Sequence, residues 1–313
     1  MTKAVVCLDI GGSFIKSGLS VRPGEIAAVK RVPMPVNDWT AFCDAVQTLL
    51  NEYRALSGDD APLAISTAGL VDADSGEVYA SNIPAFHYRR VAETLQRHLA
   101  RPVVVANDAD CFVLAEAVAG KGQGERIVFG AILGSGVGGG LVIDGNIIQG
   151  TAGICGEWGH GPIMRTALQL ADESEPLQLP RLPCACGQQG CLDTVGGARG
   201  IERLYQQLYG EALSSQQIVT AWHAGQARAQ RTLVVWCELV SEPLAWVLNV
   251  TGAARVVVGG GMASEPALIA LLDRRVKQLI LRRTEQPLVV VGQFAENGGL
   301  IGASVLGHRH HPR

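Results

Sequence analysis

The stretch Cys184-Ala-Cys-Gly-Gln-Gln-Gly-Cys191 constrains this chain more than any other. Its three thiols fall within one glycine-punctuated turn, a spacing that points them at a common centre. Zinc takes sulfur and nitrogen ligands tetrahedrally, and a structural site closes with four protein ligands. The best fourth candidate is His160 in Gly156-Glu-Trp-Gly-His160, the one histidine in the 60 residues before Cys184. A closed set of His160, Cys184, Cys186 and Cys191 leaves no open position for a reactive water, so the expected ion braces a pocket. Binding through one imidazole nitrogen fixes the tautomer and leaves the other free for a ligand hydroxyl.

A length of 313 residues points to two domains. With 48% hydrophobic and 18% charged residues the chain reads as globular, and a net charge of −3 gives no electrostatic footprint for nucleic acid. Met1–Leu8 lacks the apolar core of a secretory signal, so the eight cysteines are expected as cytoplasmic thiols and metal ligands. Outside the cluster, Cys7, Cys43, Cys111, Cys155 and Cys237 are expected to be mostly buried. The uncharged run Ile127–Ile143 carries six glycines, which argues against a membrane helix. The tail from His308 is expected as a solvated end.

Strands alternating with helices make the chain α/β. Ala4–Ile10 reads as a strand running into Asp9-Ile-Gly-Gly-Ser-Phe-Ile-Lys16, after which Ser17–Val21 resumes apolar character. Ile127–Leu133 repeats the device with Gly134-Ser-Gly-Val-Gly-Gly-Gly140 before Leu141–Ile143. Glycines let backbone N–H groups approach an anion closely, and two such turns suit a polyphosphate. Gly134-x-Gly-x-x-Gly139 is not a dinucleotide fingerprint, because a strand rather than a helix follows it. A third glycine cluster, Gly259–Gly261, ends the strand at Arg255, leaves room for a flat nucleoside, and precedes a helix expected over Glu265–Leu281 with Ser264 as cap. Helical periodicity is also clear in Trp39–Ala55, Ala109–Ala119 and Gln216–Leu248. A boundary is placed at the glycine-rich Gly120–Gly124.

Two carboxylates have an informative address. Leu63–Thr67 and Pro102–Ala106 read as strands, the first leading into Ala68-Gly69, the second into Asn107-Asp108. Ligands of open α/β sheets bind beyond the carboxyl ends of strands, so Asp108 is placed as a general base, a role compatible with capping the next helix. Asp9 ends a strand beside a glycine turn and suits Mg²⁺, directly or through water. Ser81-Asn82, Glu157 and Asp193 add polar groups to the pocket beside His160.

Together, Asp9-Ile-Gly-Gly-Ser-x-x-Lys16, Leu133-Gly-Ser-Gly-Val-Gly-Gly-Gly140, Gly156-Glu-x-Gly-His160 and Cys184-x-Cys-Gly-x-x-Gly-Cys191 resemble the ROK family of bacterial repressors, open reading frames and kinases over nearly the whole chain. The resemblance implies an actin/hexokinase-type fold of two α/β domains with a cleft, ATP with Mg²⁺, a structural Zn²⁺, and phosphoryl transfer to a sugar hydroxyl. It implies a small domain over 1–120, completed by a C-terminal helix over 297–313, and a larger zinc-bearing domain over 121–296. By position it makes Asp108 the base for the sugar 6-hydroxyl. Gly69, Asn82, Asn107, Asp108, Glu157, His160 and Asp193 become sugar-binding residues. Asp9, Gly11, Gly12, Ser13, Lys16, Gly134, Ser135, Gly136, Val137, Gly138, Gly259, Gly260 and Gly261 fall to the nucleotide and its metal. Two departures stand out: Ser13 for the usual Thr, and Asp193 for the usual Glu, one methylene shorter. Tyr79-Ala-Ser-Asn-Ile-Pro-Ala resembles members acting on N-acetylglucosamine, with fructose, glucose and N-acetylmannosamine as alternatives. A homodimer is implied, with no nucleic-acid or membrane partner. The family's regulators carry a DNA-binding region ahead of the first strand, and only eight residues precede Asp9 here.

Overall fold

The computed structural model describes residues 4–171 and 173–310; tail residues 311–313 lie outside them. In chain order the elements begin with β1 (Val5–Ile10), β2 (Phe14–Ser20), β3 (Ala27–Pro33), α1 (Trp39–Ser57), β4 (Leu63–Thr67), β5 (Leu70–Val71), β6 (Val78–Tyr79), α2 (Val91–Leu99), β7 (Val103–Asn107) and α3 (Asp108–Ala119). There follow β8 (Ile127–Leu133), β9 (Val137–Ile143), β10 (Asn146–Ile147), β11 (Ala167–Leu168), β12 (Leu177–Gln178), α4 (Asp193–Gly196), α5 (Ala198–Tyr209), α6 (Ser215–His223) and α7 (Ala227–Thr251). The chain ends with β13 (Arg255–Gly259), α8 (Pro266–Leu279), β14 (Val289–Val291) and α9 (Gly298–His310). Two compact units result. One comprises Met1–Gly124, Gly140–Cys155 and Gln293–Arg313; the other comprises Glu125–Gly139 and Gly156–Gly292.

The first unit is built on a sheet of order β3-β2-β1-β4-β7. β1 pairs antiparallel with β2, and β1, β4 and β7 run parallel. Their registers set Asp9 beside Ser66 and Thr67 beside Asn107, so three strand ends deliver their polar residues along one edge. On one face the core joins Leu8, Ile10 and Ile65 to Phe42, Val46 and Leu49 of α1 and Leu95 of α2. On the other, Leu300 and Ala303 of α9 cover Val5, Cys7 and Ala64. Each of the Leu, Ile, Val and Phe side chains removed from water contributes roughly 1.5–3 kcal/mol before entropy is charged. Helix α9 lies so close to α3 that a Cβ at Gly302 would collide with the Cys111 carbonyl. The C-terminal segment is helical to His310; Arg309 and His310 are exposed, as expected of a solvated end, while half-buried His308 lies with Nε2 3.0 Å from Ser20 Oγ. Cys7, Cys43, Cys111 and Cys237 are buried, while Cys155 is half-buried.

The second sheet has the order β10-β9-β8-β13-β14, with β8, β13 and β14 parallel. The periodic stretch Gln216–Leu248 is two helices rather than one. Gly225, at φ +76°, turns the chain between α6 and α7 where a side chain would be strained. Helix α7 is long and apolar enough to cross a membrane, yet 61% of its apolar window is buried inside the protein. Its Trp236 is fully buried and donates Nε1–H to Gly196 O at 2.8 Å. Helix α8 starts at Pro266 with no side-chain cap; Ser264 Oγ instead donates to Gly261 O at 2.7 Å, closing the preceding turn.

Candidate active site

In the first unit the site grows from the ends of β1, β4 and β7. Asn107 caps α3, its Oδ1 accepting from the amides of Ala109 (2.8 Å) and Asp110 (3.3 Å). Its Nδ2 donates to Gly69 O at 2.8 Å, tying the loop after β4 to the end of β7. Gly69 sits at φ +104°, and a Cβ there would meet Tyr79 O at 2.7 Å, so this close approach needs glycine. With Asn107 serving as cap, Asp108 is freed. Its carboxylate accepts from the adjacent Ala109 amide at 2.9 Å, with its own amide and the Asn107 side chain also bonding to it, and the side chain stays open to solvent on one side. Protein packed round the rest of the group pushes its pKa up to about 6, with the charge of Asp9 adding to the rise.

Asp9 is half-buried and takes a hydrogen bond from Ser66 Oγ at 2.9 Å. Burial raises its pKa, while Ser66 and Lys16 pull it back. Beyond it, Gly11, Gly12 and Ser13 form an exposed turn closed by Gly11 N–H donating to Phe14 O at 3.1 Å. Gly12 lies against Asn82, the exposed residue whose Oδ1 accepts from Ser81 Oγ. Lys16 Nζ donates to Glu296 O at 2.6 Å.

In the second unit the thiols and the imidazole converge. The ligand atoms of His160, Cys184, Cys186 and Cys191 all lie within 4.8 Å of one another. His160 Nδ1 is 3.7 Å from Cys184 Sγ, and Cys186 Sγ is 3.6 Å from Cys191 Sγ. Zinc–sulfur bonds of about 2.3 Å and a zinc–nitrogen bond of about 2.0 Å require tetrahedron edges of roughly 3.5–3.8 Å, so the donor set fits zinc. Nε2 of His160 remains free and lies 3.8 Å from Glu157 Oε2.

The Gly134–Gly138 turn stands beside this cluster. Trp158 Nε1 donates to Gly138 O at 2.6 Å, and Gly159 packs against Val137 O. Asp193 Oδ1 accepts from Val137 N at 2.7 Å, and Ser135 O accepts from Arg199 N at 3.3 Å. Gly260 is at φ +83° and a Cβ there would meet Leu133 O at 2.5 Å, so Gly259–Gly261 lie against the start of this turn. Next to them a cavity of about 250 Å³ opens between α6 and the start of α8, lined by Ser215, Gln216, Val219, His223, Met262 and Glu265. His223 Nε2 meets Glu265 Oε2 at 3.0 Å. A larger cavity of about 480 Å³ lies on the first unit beside β7 and α9, but neither Asp9 nor Asp108 lines it.

Sequence reasoning missed Ser66, although it stands in the strand neighbouring Asp9. It also missed the bracing role of Trp158, inside a quoted motif, and the α6 wall, whose marker was Gly225 within an otherwise helical pattern.

Two α/β units, with carboxylates at parallel strand ends and glycine turns after the first strand of each sheet, define the actin-like ATPase fold of the hexokinase type. A ROK hexokinase from Thermus thermophilus matches with a TM-score of 0.82 at 25% identity, covering 98% of both chains. A ROK glucokinase from Streptomyces griseus, in complex with glucose and AMPPNP, matches at 0.73 and 23% identity over 98% of this chain and 99% of that one. The chain belongs to the ROK family, whose profile matches residues 5–310. An N-acetyl-D-glucosamine kinase from Vibrio parahaemolyticus is 32% identical over 298 residues, 95% of this chain and 97% of its own.

Proposed function

We propose that this protein is an ATP-dependent sugar kinase that transfers the γ-phosphoryl group to the 6-hydroxyl of N-acetyl-D-glucosamine. The observation carrying the reading is Asp108: a carboxylate at a strand end, relieved of capping by Asn107, with its pKa up to about 6. A base poised there accepts a proton near neutral pH. As the sugar O6 bonds to the γ-phosphorus, its proton passes to Asp108. The bond from that phosphorus to the bridging oxygen breaks, and ADP leaves with the electron pair. Little covalent chemistry is asked of the protein in phosphoryl transfer, where positioning and charge neutralisation dominate.

Asp9, with one carboxylate oxygen taken by Ser66, is the group that would hold a nucleotide-bound Mg²⁺, which would neutralise phosphate charge. The turns Gly11–Ser13 and Gly134–Gly138 present backbone amides to the phosphates, and Lys16 adds positive charge. Gly259–Gly261 and the cavity bounded by α6 and α8 receive the nucleoside. Asn82, Asn107, Glu157 and the free Nε2 of His160 hold the sugar hydroxyls, with Gly69 giving the ring room. His160, Cys184, Cys186 and Cys191 would hold a zinc ion whose part would be to fix the imidazole, not to take part in the chemistry.

The sugar rests on the names of relatives and the Tyr79–Ala85 segment. An ADP-release assay across N-acetylglucosamine, N-acetylmannosamine, glucose, fructose and mannose tests it, with ³¹P NMR locating the new ester. N-Acetylglucosamine is expected to give the highest kcat/KM. Another sugar preferred by ten-fold would refute the substrate, and no ADP release with any of them would refute the kinase.

A further inference from the structure

Resting on that kinase reading, we propose that Asp193 is a positioning residue for the nucleotide phosphates rather than a sugar contact. Asp193 is the first residue of the four-residue α4, whose N-cap Leu192 makes no side-chain cap. The carboxylate turns outward from its own helix and accepts from Val137 N, 56 residues away, at 2.7 Å. A charged acceptor on a backbone amide is among the stronger hydrogen bonds a protein makes. The contact is tight, since a Cβ at Gly136 would collide with Asp193 Oδ1. Val137 stands in the glycine turn assigned to the phosphates, so its amide orientation decides where its neighbours' N–H groups point.

Asp193 also lies two residues beyond Cys191. Thr194 anchors the connection, donating Oγ1–H to Cys191 O at 2.8 Å, and Leu192 N donates to Gly161 O at 2.8 Å. After α4 the chain binds the turn again: Ala198 N donates to Gly134 O at 2.8 Å. Asp193 is thus the side-chain link in a continuous bracket from the thiol cluster to the phosphate turn. The shorter acid suits that task. A glutamate is one methylene longer and would push into Gly136 or leave the turn.

The test separates the two ligands. Equilibrium binding of an unreactive ATP analogue with Mg²⁺, measured by calorimetry without sugar, is compared for wild type and Asp193→Ala, Asp193→Asn and Asp193→Glu. Steady-state KM values for ATP and for sugar complement it, and circular dichroism checks the fold. Loss of a charge-assisted bond is expected to weaken the analogue about 10–100-fold in Asp193→Ala. Asp193→Asn, whose amide oxygen still accepts from Val137, should stay within about five-fold, so the proposal remains testable if the alanine variant does not fold. Asp193→Glu should weaken the analogue as the alanine does. The sugar KM should move less than three-fold throughout. A raised sugar KM with unchanged nucleotide binding, or no change in either, would overturn the proposal. Wild type that binds no nucleotide removes the kinase reading itself, a result distinct from either.

Discussion

The two glycine turns look alike in sequence and differ in how they are held. The Gly11–Ser13 turn is exposed and held by backbone bonds alone, Gly11 N–H to Phe14 O and Met34 N–H to Ser13 O. The Gly134–Gly138 turn is gripped from several sides: by Trp158 Nε1, by Gly159, by Asp193 and by the backbone at Ala198 and Arg199. One is a hairpin turn tied only to the backbone of its own strand and of Met34, with no side-chain brace. The other takes its shape from distant residues, several of them next to the thiol–imidazole cluster. Repeated sequence devices therefore need not be equivalent parts. Glycine lets a turn bend but does not say which bend, and here the second turn's bend is imposed from outside.

Chemistry gives the largest expected effect. Asp108→Asn removes the base in the first unit and leaves the Gly134–Gly138 turn untouched, so kcat should fall about 10²–10⁴-fold with both KM values within a few-fold. Steady-state kinetics checks this, and a fall below ten-fold would remove Asp108 from the base role.

Next come matched substitutions in the turns. An added Cβ at Gly12 meets Asn82 only at ordinary contact, 3.5 Å, whereas at Gly136 it strikes Asp193. Gly136→Ala should lower the melting temperature by about 3–6 °C and raise the KM for ATP at least about ten-fold. Gly12→Ala should shift the melting temperature by less than about 1 °C. Equal thermal shifts in the two variants would break the comparison.

Metal removal probes the bracket as a whole. Cys191→Ser should abolish stoichiometric zinc by elemental analysis and lower the melting temperature. It should also raise the sugar KM several-fold through the released imidazole. A variant that retains zinc and full sugar affinity would separate the cluster from the site.

The smallest effect concerns pH. Burial and the Asp9 charge raise Asp108 to about 6, above the usual carboxylate value of about 3.9. A carboxyl that holds its proton more tightly when folded favours folding below about pH 4, and that contribution is lost as pH rises through about 6. Asp108→Asn should therefore melt higher than wild type at pH 8 and no higher at pH 4. Solvent on the open side of the group limits the gain to about 1 kcal/mol, or about 2–4 °C. Wild-type kcat/KM should fall on the acid side as pH drops below about 6. A melting difference independent of pH would contradict this.

Much of this was legible in the chain. The spacing of Cys184, Cys186 and Cys191 announces convergence because short glycine turns leave thiols few directions to point. The strands ending at Asp9 and Asp108 are legible because buried parallel strands are apolar until their carboxyl ends. The break at Gly225 was not legible from periodicity, since α6 and α7 each continue an apolar face. Nor did anything mark Gly140–Cys155 as packing with the first unit, because β9 is one uninterrupted strand that begins in one unit and ends in the other.

The sequence by itself determined the ligand types, the turn-permitting glycines and the carboxylates at strand ends, all local properties of residue and spacing. Only the tertiary structure decided that Asn107 rather than Asp108 caps α3, that Ser66 partners Asp9, that His160 turns Nδ1 to the thiols, and that Asp193 addresses Val137. Each of those depends on where a side chain finds its hydrogen-bond partner. For most of them the partner lies tens of residues away, brought near by sheet register and helix packing.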